Sequence, residues 1–198
     1  MARRCPTCES IYGDSVDRCP QDNTELEEFD ADDDERIGTV IDERFRLEGL
    51  LGAGGMGRVY RGTQLSVDRE VAVKIIRGDA VPDRTMRDRF IREAQVISEF
   101  RDPNIVRLVD FGRWDQIEAP YLVMEFAGGV SLGDLVDEGR LHPYFAVEIA
   151  RQVCSGLVEA HGAGVVHRDL KPDNLHLIDR ADGSFLVKLL DFGIAYPE

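Results

Sequence analysis

The stretch HRDLKPDN at 167–174 crowds a histidine, an arginine, a lysine, two aspartates and an asparagine into eight positions. Short apolar strands are expected around it, over VVH and LHLI on either side and FLVKLLD beyond. So many polar groups cannot all be satisfied inside an element that faces a core. The stretch therefore reads as a loop held by rigid elements. A chain of 198 residues is long enough for one medium domain that supplies those elements, plus an appendage.

The residue types in the loop suit one chemistry. Asp169 can accept a proton from a hydroxyl nucleophile. Lys171 can neutralise a transferring phosphoryl group. Asn174, and Asp191 in LLDFG, offer hard oxygen ligands of the kind Mg²⁺ prefers. Phosphoryl transfer also needs a phosphate cradle, and LGAGGMGRV supplies glycines at Gly52, Gly54, Gly55 and Gly57. Glycine lets a backbone approach phosphates and present N–H groups to them. A dinucleotide fold would need this loop to open a helix. Here Val59 and Tyr60 begin a strand, so the glycines sit at a hairpin.

Lys74 ends VAVK and shares a strand face with Ala72 and Ile76. Glu93 lies in a helical stretch over 83–100, beside the apolar stripe Met86, Phe90, Ala94 and Ile97. Charges on the buried sides of two elements need partners, so Lys74 and Glu93 read as one ion pair. The alternative is a lysine that snorkels at a strand end while Glu93 borders the stripe.

Strands are expected over FRLEGLLG, GRVYRGTQ, EVAVKII, IVRLVDFG and PYLVMEF, and a long helix over 143–162. Strands first and helices later make an α+β, two-lobed layout, with an N-lobe over about 45–127 and a C-lobe from 128 onward. Ahead of it, 25–36 (ELEEFDADDDER) is too charged to bury a core. Residues 25–44 therefore read as a solvated acidic linker, with a partner-binding tail as the alternative. Residues 1–44 hold 14 acids and 5 bases, −9 of the chain's −14. No basic face remains for nucleic acid. The N-terminus has no apolar segment resembling a signal peptide, and no apolar run reaches the roughly 18 residues of a span. A cytoplasmic location is expected.

Residues 1–24 carry Cys5, Cys8 and Cys19. CPTC and CPQD place candidate ligands in pairs, Cys5/Cys8 and Cys19/Asp22, as on the two facing turns of a zinc ribbon. A decayed, metal-free ribbon is the other reading. Cys154, in the long helix, is expected to be a buried thiol.

Taken together, residues 45–195 resemble the protein-kinase family: glycine loop, VAIK-type lysine, helix glutamate, HRD loop and DFG. LKPDN is the Ser/Thr form, and GAGGMGRVYRG resembles bacterial members. The resemblance implies that Lys74 holds the ATP α- and β-phosphates and pairs with Glu93. It implies that Asp169 is the catalytic acceptor with Lys171 beside it, and that Asn174 and Asp191 bind Mg²⁺. Adenine would lie under Leu51, Val59 and Ala72, beside Met124, bonded to the backbone of Glu125 and Ala127. The family usually has a large apolar side chain two residues beyond the asparagine; here it is His176. CPxD endings resemble ribbons attached to some bacterial kinases.

The chain stops at DFGIAYPE, where the family continues with an activation segment and further helices. The expectation is a truncated, poorly active fragment, with the partner of Arg168 on the missing segment and the face of 143–162 partly uncovered. The leading function is Ser/Thr phosphorylation of a protein substrate. The rivals are a nucleotide-binding pseudokinase or scaffold acting through its ribbon, and a zinc-ribbon nucleic-acid adaptor, which the acidic segment argues against.

Overall fold

The computed structural model describes residues 2–8, 10–13, 16–30, 34–54, 57–77, 84–139 and 141–192. Contacts divide the chain into two compact units, Met1–Pro82 with Asp110–Phe126, and Asp83–Val109 with Ala127–Glu198.

The first unit holds two sheets. A small antiparallel sheet joins β1 (Ala2–Arg4), β2 (Ile11–Gly13) and β3 (Glu27–Phe29) in the order β2-β1-β3. A six-stranded sheet runs β4-β5-β6-β7-β9-β8, from β4 (Val40–Ile41), β5 (Phe45–Gly54), β6 (Gly57–Gln64), β7 (Arg69–Ile76), β8 (Leu108–Trp114) and β9 (Ala119–Glu125). Strand alternation sorts its residues. Tyr60, Val73 and Val123 are paired across β6, β7 and β9 and are fully buried. The neighbouring rungs, Val59–Lys74–Leu122 and Arg61–Ala72–Met124, point to the other face.

Residues 25–44 are not a solvated linker throughout. β3 pairs with β1, and Leu26 packs with Cys5 and Cys19 in a small core. Ile41 and Phe45 are fully buried in the β4–β5 hairpin. Glu25, Glu27, Glu28, Asp30, Asp42 and Glu43 stay exposed while Leu26, Ile41 and Phe45 turn inward, so net charge and docking coexist.

The second unit contains α1 (Arg84–Ser98), β10 (Val130–Ser131), α2 (Leu132–Glu138), α3 (Pro143–Gly162), a 3₁₀ turn over Pro172–Asn174, β11 (Leu175–Asp179) and β12 (Phe185–Leu189). β10, β11 and β12 form one antiparallel sheet. Phe90, Ala94 and Ile97 are buried as the stripe predicts, while the Met86 side chain lies outside the described residues. The helix over 84–98 groups with this unit rather than with 45–82. Residues just after it are tied to α3, where the Glu159 carboxylate accepts from the backbone N–H of Arg101 and Asp102, and Asp102 accepts from Ser155. The strand expected from Ile105 begins only at Leu108. Ile105 bridges Leu189 instead, and the Leu189 N–H donates to the Asn104 carbonyl at 2.7 Å. Cys154 is exposed rather than buried, because Ile149, Val153, Gly156 and Ala160 form the inward stripe of α3 and 154 falls off it. Among the described residues no helix is long and apolar enough to cross a membrane.

Candidate active site and metal centre

In the first unit, the glycines of the β5–β6 hairpin fall into two kinds. A Cβ on Gly57 would sit 2.0 Å from the Ile75 carbonyl oxygen, at φ +154, so the neighbouring strand demands a glycine there. A Cβ on Gly52 or Gly54 would meet nothing within 4 Å. Packing does not require those two glycines. They leave the open space that a phosphate needs in order to reach backbone N–H groups, and in this respect the hairpin fits ATP. Gly55 lies outside the described residues. Val59, Ala72 and Lys74 are half-buried on one sheet face, Met124 is buried beside them, and Leu51 is exposed. Glu125 closes β9.

In the second unit, the loop at 167–174 is held from below. Asn104 donates to the Gln152 side-chain oxygen and to the Val187 carbonyl, and the same Gln152 oxygen accepts from the Val187 N–H. This buried amide network fixes β12 against α3 and so positions Asp191 two residues past the strand. Phe192 then packs edge-on against Phe100 and 4.7 Å from the His167 ring. His167 is buried and donates from Nε2 to the Leu190 carbonyl at 2.7 Å, which fixes its tautomer. Burial holds its pKa below the ordinary value, and the Leu190 bond and the Asp169 and Asp191 charges only partly oppose this. Arg168 and Asp191 both adopt left-handed backbone, at φ 63 and 53. Such conformations persist where surrounding contacts over-determine them, often at functional loops.

The loop brings its chemistry together. Lys171 Nζ lies 3.1 Å from Asp169 Oδ2. Asn174 is buried and donates from Nδ2 to the Asp169 carbonyl at 2.7 Å and to Asp169 Oδ2 at 2.9 Å. Both bonds use the amide nitrogen, so Oδ1 is the end suited to a cation. Asp191 offers a second oxygen donor, and the chemistry of the two groups fits Mg²⁺. His176 pairs across the sheet with Ser131, and its Nδ1 donates to the Ala127 carbonyl at 3.2 Å. Glu93 and Lys74 fall in different units; within its own unit Glu93 lies 3.9 Å from Arg168.

The N-terminal ligand atoms of Cys5, Cys8, Cys19 and Asp22 all lie within 4.8 Å of one another. Around a tetrahedral zinc, sulfur and oxygen ligands would be roughly 3.6–3.8 Å apart. Cys8 and Cys19 sulfurs are 3.6 Å apart, and Cys5 Sγ is 3.4 and 3.6 Å from the Asp22 oxygens. The chemistry and spacing fit zinc. The backbone N–H of Thr24 holds the Asp22 carboxyl down at about 2, ready as an anion. Burial, and then the Cys19 sulfur 3.3 Å away, keep the Tyr12 phenol protonated up to about 12, as a donor to that sulfur. Among the described residues, the buried apolar core of this module is Cys5, Cys19 and Leu26, with Cys8, Tyr12 and Val16 packed against it, and modules so small usually rely on a metal or disulfides.

A buried polar cluster, Asp34 with Arg58 and Tyr60, escaped the sequence reading. Asp34, in the acidic run, has a side chain with 0% exposure and lies 2.6 Å from Arg58 Nη1. It also accepts from Tyr60 OH at 3.1 Å. A signal was present: Arg58 and Tyr60 alternate onto the buried face of β6, where both polar ends need an acceptor.

The protein kinase domain profile matches residues 45–197. Serine/threonine-protein kinase pkn3 of Myxococcus xanthus is 42% identical over 165 residues, covering 83% of this chain and 30% of that protein. Serine/threonine-protein kinase PrkC of Bacillus subtilis is 42% identical over 160 residues, 80% of this chain and 24% of its own length. The chain thus spans under a third of these relatives. A crystal structure of the Mycobacterium tuberculosis PknI kinase domain superposes with a TM-score of 0.68 at 27% identity, covering 80% of this chain and 62% of that one.

Proposed function

The chain belongs to the protein kinase family, and on that premise we propose that it transfers the γ-phosphate of ATP to serine or threonine hydroxyls of a protein substrate. The observation that carries this reading is the Asp169–Lys171–Asn174 cluster. Asp169 orients the substrate hydroxyl and takes its proton as the oxygen bonds to phosphorus and the bond to the ADP oxygen breaks. Lys171 offsets charge on the phosphoryl oxygens. Asn174 and Asp191 would hold Mg²⁺, which when bound screens the phosphates. Gly52, Gly54, Gly55 and Gly57 offer the phosphate cradle, and Lys74, paired with Glu93, binds the α- and β-phosphates. Leu51, Val59, Ala72 and His176 enclose adenine, with the backbone of Glu125 and Ala127 bonding to it. A scaffold lacking catalysis is less favoured, since Lys74, Asp169, Asn174 and Asp191 are all present. The test is transfer of labelled phosphate from ATP to a general protein substrate. Transfer to serine or threonine that vanishes in Asp169→Asn supports the reading, and transfer that persists there removes it.

For the N-terminal module, zinc held by Cys5, Cys8, Cys19 and Asp22 is the favoured occupant, on the 4.8 Å cluster of ligand atoms. A reducing cytoplasm, with bacterial relatives as the guide, is the setting in which such thiols stay available. The acidic balance of 1–44 argues for protein rather than nucleic acid as the partner.

A further inference from the structure

The strand rungs at the tip of the phosphate hairpin are gripped from outside the kinase-matched residues. Gly57 opens β6 and pairs with Ile76, the last residue of β7; Arg58 pairs with Ile75. Arg58 is held by the buried carboxylate of Asp34 at 2.6 Å, and Tyr60, one turn of the pleat along the same face, donates to that carboxylate. Asp34 is itself fixed, accepting the Arg36 N–H at 2.9 Å. On the other strand, Arg77 directly follows Ile76 and donates from Nη1 to the Cys8 carbonyl at 3.1 Å. Cys8 belongs to the first knuckle of the metal cluster, where its N–H donates to Cys5 Sγ. The two grips flank the Gly57–Ile76 rung, Arg58 one residue inside it on β6 and Arg77 one residue beyond it after β7, and neither uses a residue of the nucleotide-facing row Val59, Ala72 and Lys74.

We propose that residues 1–34 are an intramolecular brace that positions the phosphate hairpin, gripping β6 through Asp34 and β7 through the Cys8 carbonyl. The brace rests on the kinase reading only for its consequence, nucleotide affinity; its mechanical part stands by itself. Asp34 and Arg77 are positioning residues. A closed knuckle presents the Cys8 carbonyl to Arg77, so metal loading and hairpin order rise together. A buried charge pair at the Asp34 grip resists loosening, because separating it leaves a carboxylate without its counter-charge in a dry site.

The test measures amide hydrogen exchange over 50–60 and the dissociation constant of a fluorescent ATP analogue. The full chain is used as wild type, Arg77→Ala, Arg77→Lys and Asp34→Asn, with zinc content determined for each. Expected are faster exchange in the hairpin and a dissociation constant raised about five-fold or more in Arg77→Ala and Asp34→Asn. Zinc content should be unchanged in Arg77→Ala, and Arg77→Lys, which keeps a donor for the carbonyl, should recover both readouts. Chelation of wild type should reproduce the Arg77→Ala exchange pattern. Exchange over 50–60 that matches wild type in both variants overturns the brace. Faster exchange with an unchanged dissociation constant overturns the proposed control of affinity. Wild type that binds no nucleotide is a failure of the kinase reading, and is seen before any variant is compared.

Discussion

Asn174 donates from one amide nitrogen to both the backbone carbonyl and the Oδ2 of Asp169, at 2.7 and 2.9 Å. One side chain thereby sets the orientation of the proposed proton acceptor while keeping its own carbonyl for a cation. Asp169→Asn keeps the shape and removes the base, so phosphate transfer should fall about a hundred-fold or more. Asn174→Ala loses both the hold on Asp169 and a metal ligand. Its transfer rate should fall at least as far and should be only partly restored by raised Mg²⁺, as read from initial rates over a magnesium titration. Full restoration would mean that Asn174 only ligates metal and does not orient Asp169.

Lys74 shares its face with Val59, its cross-strand partner, away from the buried Tyr60–Val73–Val123 row. Lys74→Met should therefore leave the thermal midpoint nearly unchanged while abolishing ATP-dependent phosphorylation. Undiminished turnover would remove Lys74 and its pairing with Glu93 from the mechanism.

The hairpin glycines should separate fold from binding. Gly57→Ala drives a Cβ into the Ile75 carbonyl and should cost about 1–3 kcal/mol of stability. Gly52→Ala meets open space and should unfold like wild type while weakening ATP binding. Denaturant midpoints beside nucleotide titrations check the pair, and a stable Gly57→Ala would contradict the packing argument.

Purified under reducing, chelator-free conditions, the protein should carry about one zinc, lost on chelation. Cys8→Ser should weaken retention more than Asp22→Ala, because water replaces a carboxylate oxygen more readily than a thiolate. Metal analysis that finds no zinc in wild type favours the decayed ribbon.

What the sequence made legible follows from periodicity. Lys74 beside Ala72 needs only strand alternation, and Phe90, Ala94 and Ile97 need only helical spacing. Contacts between segments far apart in the chain were not legible. Asp34 sits in a run whose charge argues for solvent, and only Arg58 and Tyr60, over twenty residues away, reverse that. Ile105 looks like the start of a strand until Leu189 claims its backbone. Cys154 looks buried because its helix is apolar around much of its circumference. The stripe is set where Gly156 admits Ile105, whose Cγ1 would lie 3.2 Å from an added Cβ. α2 was missed although Ser131 caps it, accepting the Asp134 N–H at 3.0 Å. The Ser-x-x-Asp spacing was the available signal, obscured by Gly133.

His167 supplies a pH dependence whose sign is fixed by its surroundings. It is buried, donates from Nε2 to Leu190, and its Nδ1 has no hydrogen-bond partner among the described residues. Burial therefore holds its folded pKa below the ordinary value of 6.5. Above that value both folded and unfolded chains carry neutral imidazole, and its contribution to stability is fully present. As pH falls below 6.5 the unfolded chain takes up a proton that the folded chain refuses, so stability drops by up to about 1.4 kcal/mol per pH unit. The loss levels off only once pH passes the folded value. Asp22 and Glu148, each held down at about 2 by hydrogen bonds, from Thr24 and Arg151 respectively, enter only at lower pH, costing stability as pH falls through the ordinary carboxylate range toward that folded value. Urea unfolding between pH 8 and 5 should show this slope in wild type. His167→Phe removes the proton site and keeps a ring against Phe192; it should be less stable at pH 8, having lost the Leu190 bond, yet nearly flat with pH. Equal slopes in the two proteins would assign the acid sensitivity to another group.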